Sequence, residues 1–131
     1  MSDFIRKIQE ADDFAALGSV TDKDIANAEN NLNLVFADDY KEYLRAFGVA
    51  TFCSKELTGI GPSARLNVVN VTMHARDVYK NFPTDAYVVE DLLFDHVLTI
   101  QKQDGSIYSY GPKDSEEKIA ASLADYLFPE G

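Results

Sequence analysis

His74, His96 and Cys53 are the residues of this 131-residue chain with the widest catalytic repertoire. Their spacing matches no metal site, because zinc draws on about four ligands and two separated histidines plus one cysteine fall short. Asp95 and His96 are adjacent, which in extended backbone sends their side chains to opposite faces and makes them a poor chelating pair. A nucleophilic Cys53 with a histidine partner is one reading. The expected one is a small buried packing residue, since Cys53 sits between Phe52 and Ser54 in a β-leaning segment. The chain has no GxxxxGK[ST], GxGxxG or GxSxG pattern. Gly59-Ile60-Gly61 runs into Pro62 and not into a helix, which argues against a phosphate cradle. The expectation is a chain that is not an enzyme and needs no cofactor or metal.

Carboxylates are the abundant chemical groups. There are 22 acidic against 12 basic residues, a formal charge of −10. Such a balance argues against direct nucleic-acid binding, which needs lysine and arginine clusters. It suits solubility, and equally a basic protein partner whose encounter is speeded by complementary fields. Glu90, Asp91 and Asp95 gather near one end of an expected β-meander, as a solvated acidic loop, a divalent-ion site or part of a partner surface. Tyr87, Tyr108 and Tyr110 bring large contact area with a polar tip. They are either half-buried sheet residues or, with Glu90, Asp91 and Asp95, the candidate partner-binding set.

The elements that must position these groups begin with a weak stripe, Phe4, Ile5, Ile8 and Ala11 with Phe14 and Leu17 beyond. It reads as a peripheral helix over residues 3–17, closed by Gly18. Thr21 and Asp24 form a capping-box pattern ahead of Ile25, Ala28 and Leu32. Tyr40, Tyr43, Leu44 and Phe47 repeat the helical period, and Gly48 stops it. Glu29, near the apolar stripe of the first helix, is expected to cap or pair across the junction of these two helices or to be simply solvated, with partner binding as the functional alternative. Asp38 and Asp39 suit the positive end of the second. Short strands are expected at 51–53 and 56–60, and the β-branched run 66–73 reads as a further strand. Residues 86–89, 97–101 and 106–110 read as a meander, with Asp104-Gly105 as a two-residue hairpin loop. That register puts Lys102 opposite Ile107 and Ile100 opposite Ser109. Residues 114–128 read as a terminal helix with Ile119, Leu123, Tyr126 and Leu127 on its apolar face, capped by Asp114 or Ser115 and stopped by Pro129.

Together these give an α+β fold in one domain over 1–131, with 1–18 as the peripheral helix: a twisted, mostly antiparallel sheet of about five or six short strands with helices on one face. Hydrophobic residues are 46% of the chain, enough for a core. The one cysteine allows no intrachain disulfide. Neither a secretory signal nor a membrane span is apparent, so a cytoplasmic protein is expected.

Thr21, Ile25, Glu29, Leu32, Asp38-Asp39-Tyr40, Tyr43-Leu44 and Gly48, in that order and spacing, resemble the opening signature of the SMI1/KNR4 (SUKH) superfamily. Ala37 or Asp38 stands where that signature usually carries proline. Gly59-Ile60, Asp104-Gly105 and the Ser122–Leu127 segment resemble its later features, so the likeness covers about residues 20–128. The resemblance implies an α+β fold and one of two roles. Many bacterial members are immunity proteins that bind and neutralise a cognate polymorphic-toxin domain, often a nuclease. Fungal members resemble regulatory protein-interaction modules.

Overall fold

The computed structural model describes residues 2–92, 97–111 and 115–129. Its order is α1 (Asp3–Gln9), β1 (Ala15–Ala16), α2 (Asp22–Leu32), α3 (Asp38–Phe47), β2 (Ala50–Phe52), β3 (Lys55–Glu56), a 3-10 turn (Ala64–Leu66), α4 (Val68–Val78), β4 (Ala86–Asp91), β5 (Leu98–Lys102), β6 (Ile107–Tyr110), β7 (Glu116–Ala120) and α5 (Leu123–Leu127). The strands form two antiparallel sheets, β1-β2-β3 and β4-β5-β6-β7. With the five helices of the described residues packed against them, the fold is α+β, as expected.

The helical pair follows its local signals. The Thr21 hydroxyl accepts from Asp24 N at 3.1 Å, and the Asp24 carboxylate accepts from Thr21 N at 3.2 Å, closing the capping box. Ile25, Ala28 and Leu32 are buried, as are Tyr40, Tyr43, Leu44 and Phe47. Gly48 ends α3 with φ +69. Glu29 serves the helix junction: it accepts from Phe36 N at 2.8 Å and lies 3.5 Å from Lys41 Nζ. Asp38 and Asp39 occupy the first turn of α3. Asp39 also reaches outward, accepting from Gln101 Nε2 at 2.9 Å and from Leu123 N, at the start of α5, at 2.8 Å.

Four expectations are corrected. The helix expected over 3–17 stops at Gln9, and Ala15–Ala16 pair with β2. Phe4, Ile5 and Ile8 are buried in the main core, so α1 is held by packing and is not a loose arm. The run expected as a strand at 66–73 is largely the first half of α4. Asn67 caps it by accepting from Val69 N and Asn70 N at 3.0 and 3.2 Å. Val68, Thr72 and Ala75 are buried at i, i+4, i+7, and this stripe outweighs the β preference of the valines.

The hairpin register is off by one. Gln101 pairs with Ile107, Ile100 with Tyr108 and Leu98 with Tyr110. The loop spans three residues: Gly105, at φ +95, donates to Lys102 O at 2.9 Å, and Lys102 N donates to Ser106 O at 3.1 Å. A turn followed by a left-handed glycine bulge accounts for the extra residue. One residue of slip exchanges faces. Leu98 and Ile100 therefore share a face with Tyr108 and Tyr110, while Ile107 joins Gln101. Finally, the expected helix 114–128 divides into β7 and α5. Ser122 caps α5 by accepting from Asp125 N at 3.1 Å. Residues 116–120 instead satisfy the open edge of β6, leaving Ile119 exposed. The Asp114 cap expectation falls outside the described residues.

β4 has a bulge between Val88 and Glu90. Its outer edge is closed by neighbours: Thr58 N donates to Val89 O at 2.9 Å, Thr58 Oγ1 donates to Val88 O at 2.7 Å, and Val88 N donates to Thr72 Oγ1 at 3.0 Å. Tyr87, Val89 and Ile107 join the core with α1, α2, α3 and α5. Ala86, Val88, Leu98, Ile100 and Tyr110 form a second cluster with Ala75 of α4 and Phe82.

Candidate protein-interaction surface

The tyrosines and acids singled out by sequence do not form one surface. Tyr87 is fully buried, its hydroxyl accepting from Ala37 N at 2.9 Å and donating to Gln101 Oε1 at 2.7 Å. Burial pushes that phenol well above its ordinary pKa. Tyr110 is buried edge-on between Tyr79 and Phe82, at ring separations of 5.6 and 5.3 Å. Glu90 is buried, accepting from the Tyr126 hydroxyl and lying 3.5 Å from Lys55 Nζ. Burial, followed by the Glu90 carboxylate, raises the pKa of Tyr126. These three side chains present almost no area to a partner. Asp91 is exposed at the end of β4. Tyr108 is half-buried beneath Lys102 Nζ, 4.6 Å from its ring centre. Asp95 and His96 lie outside the described residues. The alternating pleat explains the scatter: Tyr87 and Glu90 face one way, and Asp91, Tyr108 and Tyr110 the other.

Cys53 is corrected too. It is exposed at the tip of the β2–β3 hairpin, where Cys53 and Ser54 both have positive φ, +50 and +60. The Asp13 carboxylate holds this tip, accepting from Cys53 N at 2.6 Å and from Ser54 N at 2.8 Å. Those two bonds lower the Asp13 pKa below the usual aspartate value. A lowered folded-state pKa means the tip is fully held above about pH 4, the ordinary aspartate pKa, and released as pH falls through the lower folded value. The amide resonances of Cys53 and Ser54 should therefore move together in an acid NMR titration, with a midpoint below that of a free aspartate. An unshifted midpoint would contradict the contact.

The site that sequence missed lies beside this hairpin. A cleft of about 380 Å³ runs between β1 and the 62–66 segment, with Ala15, Ala16, Leu17, Pro62 and Leu66 among its lining residues. Small side chains on β1 leave the hollow. Leu17 overhangs Gly61, where an added Cβ would come within 2.9 Å of Leu17 Cδ1. Leu17 is 64% exposed, the largest fraction among the exposed large hydrophobics of the described residues. At the rim, Arg65 grips Glu56 with two bonds of 2.8 and 2.9 Å. Exposed Glu10, Asp12 and Asp13 precede β1 in the chain. The sequence signal was Ala15-Ala16-Leu17 running into Gly18, which reads as extended once Leu17 is taken off the helical stripe.

Among the described residues no group of three or more His, Cys, Asp or Glu is placed to hold a metal ion. No described helix is long and apolar enough to cross a membrane. An open apolar cleft with a fixed ion pair at its rim suits docking of another surface, because apolar area exposed in one place is what marks an interaction site. By fold and surface, this is an α+β protein with an open apolar cleft. A family model described as SMI1-KNR4 cell-wall (SUKH_5) matches residues 1–129, and the chain belongs to that family. Among solved structures, it is similar to a crystal structure of a protein from Pseudomonas syringae pv. tomato. The TM-score is 0.77 at 15% identity, over 97% of this chain and 95% of that one, a likeness of fold. No curated protein matches the chain.

Proposed function

We propose that this chain is an immunity protein that neutralises a cognate toxin domain by stoichiometric binding, the toxin being a basic nuclease. The observation that carries the reading is the apolar cleft at Leu17 on a chain of net charge −10. Nucleases are basic because they bind phosphate backbones, so an acidic partner is steered to them by complementary fields. The cleft then supplies the apolar contact that holds the complex. Asp91, exposed at the end of β4, would add to the steering field, and Asp95 contributes its charge to the net −10. Family membership supports protein binding as the general role, and no catalysis by this chain is needed.

The test is co-expression of the toxic domain encoded beside this gene, with and without this protein, counting survivors. Rescue with a one-to-one complex is the expected result. No rescue, or no toxin-like neighbour, would move the role to a regulatory interaction module. In vitro, the association rate should fall by about tenfold or more between low and high salt, as screening shortens the field. A salt-insensitive rate would contradict charge steering.

A further inference from the structure

We infer that the groove between α2 and α4 is a second binding site, for an extended stretch of polypeptide without acidic side chains. It has a volume of about 350 Å³ and shares no lining residue with the Leu17 cleft. Asp24, Asn27 and Asn31, at i, i+3, i+7, share one face of α2 and form one wall. Asn67 and Asn70 of α4 form the other, and Ala28, Ile60 and Val69 give the groove its apolar part.

Asn67 is spent on structure: besides capping α4, its Nδ2 donates to Gly61 O at 3.2 Å. The side-chain amides of Asn27, Asn31 and Asn70 have no hydrogen-bond partner among the described residues. All three residues are exposed. Asparagine is a poor helix former beside alanine, and no hydrogen bond among the described residues compensates for it at Asn27 and Asn31 of α2. A local rule broken without an internal gain is expected at functional positions. Each free amide offers two donors and an acceptor, the complement of a peptide group. Amides on two walls can therefore pair with an extended main chain, while the apolar part receives alternate side chains.

Other ligand classes fit less well. Among the described residues Asp24 is the only charged one lining the groove and no cation lines it, so phosphates and nucleic acids are disfavoured. No aromatic ring among the described residues lines the groove to stack on the apolar face of a sugar. Asp24 would instead favour a basic residue at one end of the peptide.

The test uses the full chain and a phage-displayed library of random heptapeptides. Selected peptides are synthesised, and their affinity is measured by fluorescence polarisation for the native chain, the Asn27→Ala/Asn31→Ala double variant and Leu17→Asp. The double variant should fold, with a Tm no lower than native, because alanine is the better helix former. Expected is an enriched set lacking acidic residues, whose affinity falls at least about tenfold in the double variant, the loss of two hydrogen-bonding amides, and is unchanged in Leu17→Asp. No enrichment, equal binding by the folded double variant, or a loss confined to Leu17→Asp would overturn the proposal. So would a glycan panel in which uncharged oligosaccharides bind and are lost with Asn27 and Asn31. Failure of the toxin rescue would leave this result standing, since neither the probe nor the groove depends on a toxin.

Discussion

Gly59→Ala is expected to destabilise the protein by about 3 kcal/mol or more, at or beyond the upper end of what overpacking costs. An added Cβ would overlap the Gly48 carbonyl oxygen, and Val49 Cγ2 would stand only 3.0 Å away. The obstacle is backbone, so no side chain can rotate aside. Gly48 is itself held with positive φ by the end of α3, and its carbonyl accepts from Ile60 N at 3.0 Å. Gly59 also donates to Leu66 O at 2.7 Å, and its own carbonyl accepts from Val68 N at 2.8 Å. One close approach thus joins the exit of α3 to the entry of α4. Urea unfolding of Gly59→Ala beside Gly111→Ala checks this. Nothing lies within 4 Å of a Cβ at Gly111, and that change should alter stability by less than about 1 kcal/mol. Equal effects at the two positions would contradict the packing described.

Tyr87→Phe is expected to cost about 2–6 kcal/mol, because it strands two buried groups at about 1–3 kcal/mol each while removing a single oxygen atom. Ala37 N, at the start of α3, and Gln101 Oε1, in β5, would both lose the hydroxyl that joins them. Ala37 is 2% exposed and Gln101 is fully buried, so water is a poor substitute. The ring would keep its contacts with Phe36 and Tyr40, at 4.7 and 5.0 Å, which confines the loss to the polar bridge. The urea midpoint should fall with an unchanged m-value. Tyr108→Phe, whose half-buried ring makes no such bridge, should stay within about 0.5 kcal/mol. A neutral Tyr87→Phe would mean that the bridge adds nothing net to stability.

Elements with complete local instructions were legible. The Thr21–Asp24 box, the stripe from Tyr40 to Phe47 and the stop at Gly48 need only neighbours in sequence to act. Elements decided by distant partners were not. Val68, Val69 and Val71 prefer strands, but burial of Val68, Thr72 and Ala75 on one helical face outweighs that preference, and Asn67 was the overlooked cap. Ile119 fits a helical stripe with Leu123, yet β6 had an edge to fill and took residues 116–120. Gly105 marked the hairpin, while its left-handed bulge added the residue that fixes register. That single residue also set the fate of the candidate site, because it put Tyr110 in the second core with Leu98 and Ile100. Leu17 was hidden by its fit to a helical stripe that ends eight residues earlier.

The most direct measurement is the dissociation constant of the proposed complex with a toxic domain encoded beside this gene, for the native chain and for Leu17→Asp. Leu17 is exposed, so the substitution should leave folding intact while placing a charge in the apolar cleft. The account predicts about a hundredfold loss of affinity, the size expected for an interface hot spot, with loss of rescue in cells. Unchanged affinity in Leu17→Asp would contradict docking through this cleft.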